Sequence, residues 1–371
     1  MIKIFHTGDL HLDSAFHKLS YGDRIAARAH QRDIFSKMIR YVRENGFDML
    51  LISGDLFDSP IISPETEECV INAFSSLNCP VIIAPGNHDP FATTSIYSRK
   101  DLPENVYIFN SREMQLLSFN DLGVQVCGYA FMSDTYAQNP LDEFSIPEYD
   151  GATVLCAHAE LNSSVPRYAP VFDSDIFAMG FTYAALGHLH KSTEIIRKDK
   201  SAIAYCGFPE SRGFDEEGFG GALLVTIDAD RVLSIERVTF GEKRHVIDSL
   251  DISGINSTSE LIEALDRYIV SKGFAKETAL RLILEGMAQQ GLNINTASLE
   301  DHFASKLMLI EVVDKTVPYI DHASLASDVT LRGEIYRTLL PMLNSESKDQ
   351  RRIASEALKT ALIAIEGRSV T

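Results

Sequence analysis

The sequence predicts an α/β protein of layered mixed sheets with helices on the outside, followed by a small appended α+β domain and C-terminal helices. Three observations carry this. Strand-like and helix-like runs alternate through the first 240 residues. Several of the strand-like runs are apolar at every position, as strands buried on both faces are. The chain of 371 residues, 45% hydrophobic and 23% charged, is long enough to bury full cores in more than one domain and has the composition of an ordinary globular protein.

In chain order, Ile2-Lys3-Ile4-Phe5 alternates as a strand does. Residues 22–44 place Ile34, Phe35, Met38, Ile39 and Val42 on one helical stripe, stopped by Asn45-Gly46. Met49-Leu50-Leu51-Ile52 and Pro80-Val81-Ile82-Ile83-Ala84 read as fully buried strands on either side of a helix at 63–76. Further strands are expected at 106–109, 124–129, 152–157, 183–186, 203–206 and 222–227, with 232–239 closing a domain of residues 1–240. The later strands crowd together without long helices between them, hence the expectation of mixed sheets packed in layers.

A smaller strand-helix unit follows at 241–320. Ser257 offers an N-cap with Glu260 three residues on, the helix ends at Gly273, and strands at 279–284 and 307–313 flank a helix near 297–303. Residues 321–371 read as helical, broken at Pro341, with Ile353, Leu358, Leu362 and Ile365 on one apolar side that either packs on the body or docks a partner.

Five widely spaced cysteines without a CxxC pair read as reduced core residues. No apolar run approaches the roughly 20 residues that span a bilayer, and no signal-peptide pattern opens the chain, so a cytoplasmic protein without membrane association is expected. The net charge of −18 is opposite in sign to the usual footprint of a nucleic-acid binder, and −14 of it lies before residue 241. Solubility explains such an excess; so does a set of carboxylates that hold multivalent cations.

The ends of the apolar strands favour the second explanation. Ile4-Phe5-His6-Thr7 runs into Gly8-Asp9-Leu10-His11, Leu50-Leu51-Ile52-Ser53 into Gly54-Asp55-Leu56-Phe57-Asp58, and Val81-Ile82-Ile83-Ala84 into Pro85-Gly86-Asn87-His88-Asp89. Val154-Leu155-Cys156-Ala157 meets His158, and Ala184-Ala185-Leu186 meets Gly187-His188-Leu189-His190. Five strands thus deliver carboxylate, imidazole and amide groups to their carboxyl ends, where ligands bind in α/β sheets. Asp-x-His and His-x-His put two donors on one side of an extended segment. Carboxylates with imidazoles and an amide suit Mn²⁺, Fe²⁺ or Zn²⁺ rather than Ca²⁺, and the donors outnumber what one tetrahedral ion uses, so two metal ions are expected.

This series, D-x-H, G-D-x-x-D, G-N-H-D, a lone His after a strand, and G-H-x-H, resembles the calcineurin-like metallophosphoesterase superfamily over residues 1–240. Within it, Gly54-Asp55-Leu56-Phe57-Asp58 and Gly187-His188-Leu189-His190-Lys191 are most similar to the DNA repair exonuclease branch of SbcD-like and YhaO-like nucleases. The resemblance implies a two-sheet sandwich with a capping domain. It implies Asp9, His11, Asp55 and His190 around one ion and Asp55, Asn87, His158 and His188 around the other, with Mn²⁺ the expected metal. It further implies a hydroxide shared by two ions attacking phosphorus in line, His88 as the acid or stabiliser at the leaving oxygen, and Asp58 as its orienting partner. DNA as substrate, a coiled-coil ATPase of the SbcC-like type as partner, and a homodimer follow from the same resemblance.

His6 and His17 occupy no position in that pattern, and His30, His245, His302 and His322 read as surface or cap residues. Asp13 and Asp89 read either as acceptors for ligating histidines or as turn residues. After the last motif the branch has Tyr-Pro-Gly-Ser, whereas this chain has Tyr205-Cys206-Gly207-Phe208-Pro209-Glu210 and then Ser211-Arg212-Gly213-Phe214-Asp215. Tyr205 and Arg212 are the expected substrate contacts, although no dense basic stripe is present to grip a duplex. Two alternatives stand beside a nuclease: a phosphodiesterase or nucleotide hydrolase for small substrates, and a catalytically retired scaffold for an ATPase partner.

Overall fold

A computed structural model gives the structure, described here for all residues except 18, 100, 101, 164, 166, 192, 193, 290, 291 and 366–371. The chain forms two compact units, Met1–His245 and Val246–Thr371.

The first unit contains β1 (Ile2–Thr7), α1 (Tyr21–Glu44), β2 (Met49–Ile52), α2 (Pro64–Ser75), β3 (Val81–Ile83), β4 (Val106–Ile108), β5 (Gln115–Phe119), β6 (Val124–Gly128), β7 (Ala152–His158), the short β8 (Glu160–Leu161) and β9 (Pro170–Val171), α3 (Asp173–Met179), β10 (Tyr183–Gly187), β11 (Ile196–Lys198), β12 (Ser201–Tyr205), β13 (Gly218–Asp228) and most of β14 (Arg231–Asp251). One sheet runs β14-β13-β1-β2-β3-β4, with β1 to β4 parallel and β13 and β14 antiparallel. The second runs β11-β12-β10-β7-β6-β5, parallel in the middle and antiparallel at both edges. The expectation of layered mixed sheets with outer helices is met.

Alternation along the strands explains the layers. Ile4, Met49, Leu51 and Ile82 of the first sheet share a core with Val126, Val154, Cys156, Tyr183, Ala185 and Ala204 of the second. The intervening residues Phe5, Leu50, Ile52, Val81 and Ile83 face outward, against Ile34, Phe35, Met38, Ile39 and Val42 of α1 and Val70 and Phe74 of α2. On the far side Leu155, Ala157, Ala184 and Leu186 pack with Ile176 of α3. A strand apolar on both faces is what each layer requires, and burying each Leu or Ile contributes on the order of 1.5–3 kcal/mol.

Parallel register brings the strand ends level. Thr7 stands beside Ile52, Ile52 beside Ile83, and Gly187 beside His158. The pairing of the first two strands continues into their loops, where Asp9, His11 and Leu12 donate backbone N–H groups to the carbonyls of Gly54, Asp55 and Leu56 at 3.0, 2.9 and 2.9 Å. Asp13 is not an acceptor for a histidine: it takes the Ser63 N–H and hydroxyl and the Thr66 hydroxyl at 2.6, 3.2 and 2.7 Å, tying the β1 loop to the start of α2.

The second unit contains α4 (Thr258–Ser271), β15 (Thr278–Glu285), β16 (Met287–Ala288), α5 (Thr296–Phe303), β17 (Leu309–Asp314), β18 (Val317–Pro318), α6 (His322–Ser327), α7 (Leu331–Leu343) and α8 (Lys348–Ile365). β15 and β17 pair in parallel, and Leu261, Leu265, Leu280, Leu282, Leu299 and Val312 fill its core. Pro341 does not break the helix as expected; it sits in the last turn of α7, where the carbonyl it leaves unpaired is near the helix end. Tyr336, Leu358 and Leu362 join α7 and α8 with Leu325, whereas Ile353 and Ile365, expected on the apolar side, are exposed. Among the described residues no helix is long and apolar enough to cross a membrane.

Candidate functional site

The loops after β1, β2, β3 and β10 and the last residue of β7 bring all seven expected ligands together. Ligand-atom positions of Asp9, His11, Asp55 and His190 lie within 4.8 Å of one another. His11 Nε2 is 3.1 Å from His190 Nε2 and 3.5 Å from Asp55 Oδ2. Beside this group, His158 Nε2 is 2.9 Å from Asn87 Oδ1, 3.2 Å from His188 Nδ1 and 3.4 Å from Asp55 Oδ2. Asp55 touches both groups.

The outer ring nitrogens decide what the inner ones carry. His158 Nδ1 lies 3.1 Å from the Ser53 carbonyl, which can only accept, so the proton is on Nδ1 and Nε2 keeps its lone pair. His11 Nδ1 donates to Asp58 at 3.1 Å and His190 Nδ1 to Glu216 at 3.0 Å, while His188 Nε2 faces Glu160 at 3.5 Å. The inner ring nitrogens therefore confront each other in two pairs, at 3.1 and 3.2 Å, with the carboxylates of Asp9 and Asp55 beside them. Imidazole nitrogens and carboxylates that converge in this way are what a divalent cation fits, and the acceptor behind each imidazole is the usual support of a metal-ligating histidine.

The four rings differ in protonation: burial opposes the charge of His190 but Glu216 and Asp9 raise it above its ordinary value, whereas the other three are lowered. Burial lowers His158 to about 3 and His11 and His188 to about 4, so these rings are neutral near pH 7. Burial opposes ionisation of Glu216, but hydrogen bonds from His190 and Arg212 hold it down at about 2. Burial pushes Asp9 up to about 8, with the Asp55 carboxylate adding to the rise against the pull of His190. That unfavourable crowding of carboxylates is relieved by a cation.

The backbone is forced into rare conformations to achieve this. Asp9, His11, Asp55 and His188 have φ of 49°, 44°, 48° and 106°, each strained by roughly 1–3 kcal/mol, as happens at functional sites. Two glycines are dictated by close approach: a Cβ on Gly54, at φ +95°, would stand 2.2 Å from His158 Nδ1, and one on Gly86 would stand 2.1 Å from Asp55 Oδ1.

His88 stands at the rim with its side chain 47% exposed, its backbone N–H on Asp55 Oδ1 at 3.0 Å and its ring 4.7 Å from that of His11. Asp58 accepts its hydrogen bond from His11 Nδ1, so the expected His88–Asp58 pair is present only as an ion-pair contact at 4.0 Å from His88 Nδ1. Two further corrections concern the expected substrate contacts. Tyr205 is buried, its hydroxyl donating to the Ala159 carbonyl and accepting from the Leu161 N–H, both at 2.8 Å. Arg212 turns inward to Glu216. Asp89 holds no histidine: it accepts from Phe57 N–H, Gly86 N–H and the Tyr97 hydroxyl, fixing the β2 and β3 loops together. His6 is buried between Tyr183 and Ser53, at 2.7 and 2.9 Å. Sequence reasoning missed Glu160 and Glu216. Glu160 lies two residues after His158 and could have been found from that spacing; nothing in the spacing marks Glu216.

The chain is similar to known proteins. The calcineurin-like phosphoesterase family matches residues 2–192. The chain is 27% identical over 308 residues to the uncharacterized metallophosphoesterase YhaO of Bacillus subtilis (strain 168), covering 78% of this chain and 73% of that protein. It is 25% identical over 307 residues to the DNA double-strand break repair protein Mre11 of Saccharolobus solfataricus, covering 77% and 76%. A component of the nuclease SbcCD of Staphylococcus epidermidis is 27% identical over 249 residues, 58% of this chain and 63% of that one. With the family match spanning more than half of its residues, and the site standing where that match lies, the chain belongs to the calcineurin-like phosphoesterase family and is a hydrolase of phosphate esters.

Proposed function

We propose that the protein is a divalent-metal-dependent phosphodiesterase that cleaves DNA in the manner of a repair nuclease, with Mn²⁺ as its metal. The observation that carries this reading is the convergence of four imidazole nitrogens with Asp9, Asp55 and Asn87. Asp9, His11, Asp55 and His190 would hold one ion, and Asp55, Asn87, His158 and His188 the other. Bound there, the ions would supply a hydroxide near neutral pH and neutralise charge developing at phosphorus.

The chain's own residues have distinct tasks. Asp58, Ser53, Glu160 and Glu216 fix the tautomers of the four imidazoles, and Asp89 locks the loops that carry Asp55 and Asn87. His88, outside the ligand set but against it, is placed to give a proton to the leaving oxygen. Similarity to Mre11 and to the SbcCD nuclease component supports DNA as the substrate and an ATPase of the SbcC-like type as partner; a homodimer is part of the same proposal.

The test is hydrolysis of end-labelled duplex and single-stranded DNA by purified protein with Mn²⁺, beside a small phosphodiester and an Asp55→Asn control. DNA shortening that disappears in the control supports the nuclease reading. Cleavage of the small diester alone, with or without the ATPase partner, favours the second reading, a small-substrate phosphodiesterase, to which the −18 net charge is suited. Activity on neither substrate leaves a scaffold role.

A further inference from the structure

We propose that Arg212 is a positioning residue that, through Glu216 and Asp58, sets the imidazoles of His190 and His11 so that their Nε2 atoms meet at one ion. The proposal rests on the two-ion reading above and assigns to this chain a device that acts on only one of the two ions.

Arg212 is 17% exposed and lies behind the ligands, not among them. Its guanidinium grips Glu216 through Nε, at 2.9 and 3.2 Å from the two carboxylate oxygens, and through Nη2. Its backbone N–H adds a 2.8 Å bond to the same carboxylate. Nη2 passes 3.3 Å from His190 Nδ1, so guanidinium and imidazole converge on a shared acceptor, Glu216 Oε1. Nη1 extends the other way, 3.7 Å from Asp58 Oδ1, the acceptor of His11 Nδ1. Nη1 also donates to Ser14 Oγ at 3.0 Å, and Ser14 Oγ donates to the His11 carbonyl at 2.7 Å. Gln31 closes the loop by donating to that carbonyl at 2.9 Å and to Ser14 Oγ at 3.1 Å.

One cation thus reaches the outer support of both histidines in the Asp9–Asp55 group, along the side chain and the backbone of His11 alike. The other two histidines are supported by Ser53 and Glu160, whereas Arg212, among the described residues, bonds to Glu216, Ser14 and His190 and pairs with Asp58. The chemistry demands arginine: a planar fork can hold one carboxylate with two donors and still present a third nitrogen to a second group, which an ammonium cannot do. Its charge also lets Asp58 and Glu216 stay ionised close to Asp9 and Asp55, and so remain acceptors that hold the protons on the outer nitrogens.

The test follows Mn²⁺ binding to the full chain by electron paramagnetic resonance, counting free ion and recording the exchange-coupled signal of a neighbouring pair. Wild type is expected to bind two ions. Arg212→Lys should keep one ion at wild-type affinity, weaken the other by about ten- to a hundredfold, and lose the coupled signal when Mn²⁺ is limiting. Glu216→Gln, which preserves shape but releases the guanidinium, should do the same, and it carries the test alone if Arg212→Lys does not fold. Two ions bound with unchanged affinity overturns the proposal. Equal weakening of both ions overturns it as well, since that is the mark of a merely structural role. A wild-type chain that binds no pair of ions removes the two-ion reading first, and the proposal with it, before any variant is made.

Discussion

His88 is the site residue whose role is most separable from the rest. It supplies its backbone N–H to Asp55, which any residue but proline retains, and leaves its ring half exposed beside His11. His88→Ala should therefore bind Mn²⁺ as the wild type does while kcat on a small phosphodiester falls by about 10²–10⁴-fold, the usual worth of a positioned proton donor. Parallel measurement of metal content and turnover checks this, and undiminished turnover removes His88 from the chemistry. The candidate ligands were legible because each is written at or directly after the end of an apolar strand, where parallel register leaves it no other place to go. Their supports were not. Asp58 is adjacent to both His11 and His88 in space, and the sequence could not say which imidazole it serves; the 3.1 Å bond to His11 does. Tyr205 looked available in the sequence because a hydroxyl's partners are backbone atoms, here those of Ala159 and Leu161, that no side-chain pattern reveals.

At the scale of elements, the strand-to-loop turns are as constrained as the ligands they present. Gly86 lies against the β2 loop so closely that an added methyl would overlap Asp55 Oδ1 at 2.1 Å and its backbone nitrogen at 2.7 Å. Gly86→Ala is expected to push the β2 and β3 loops apart, break the Asp89 bond to the residue 86 N–H, and lower Mn²⁺ affinity by at least about tenfold while the far-ultraviolet circular dichroism stays that of the wild type. Equilibrium Mn²⁺ binding decides it, and wild-type affinity would mean that the loops yield without cost. The strands of the first unit could be read because burial on both faces leaves no polar position to blur them. Less legible was β5, whose half-buried and exposed residues alternate at a sheet edge, and the length of β14, which continues to Asp251 where the sequence placed a domain end near 240. Pairing between β1 and β13, more than 200 residues apart, is set by tertiary packing and leaves no local mark.

For the whole molecule, proton linkage makes metal and stability one problem. His6 and His158 are lowered by burial to about 3, and His11 and His188 to about 4, so the folded chain keeps these rings neutral where the unfolded chain takes up protons below about 6.5. Stability therefore falls as pH drops from 6.5 toward 4. The carboxyl groups act in the opposite direction. Burial raises Asp9 to about 8 and Asp89 to about 7, each with a further push from Asp55, so the metal-free fold holds protons that the unfolded chain has already released above pH 4. That contribution falls progressively as pH rises from about 4 and is gone once pH passes the folded values of about 7 and 8. His190 adds to the loss: burial opposes its charge, but Glu216 raises it above its ordinary value, and its share is present below about 6.5 and disappears above its folded pKa. Near pH 5 the histidines outnumber the acids, and above 6.5 only the acids and His190 remain, so metal-free protein should have its highest Tm near pH 6–6.5 and a lower one at both pH 4.5 and pH 8. Saturating Mn²⁺ should change the alkaline side most, because ligation requires Asp9 to be ionised and replaces the protons there, so the rise in Tm on adding metal should be larger at pH 8 than at pH 6. Thermal unfolding at these pH values, with Mn²⁺ and with a chelator, measures it directly. A metal-induced rise that is the same at pH 6 and pH 8 would show that no proton leaves the site when the ion enters, and that Asp9 is already ionised in the metal-free fold.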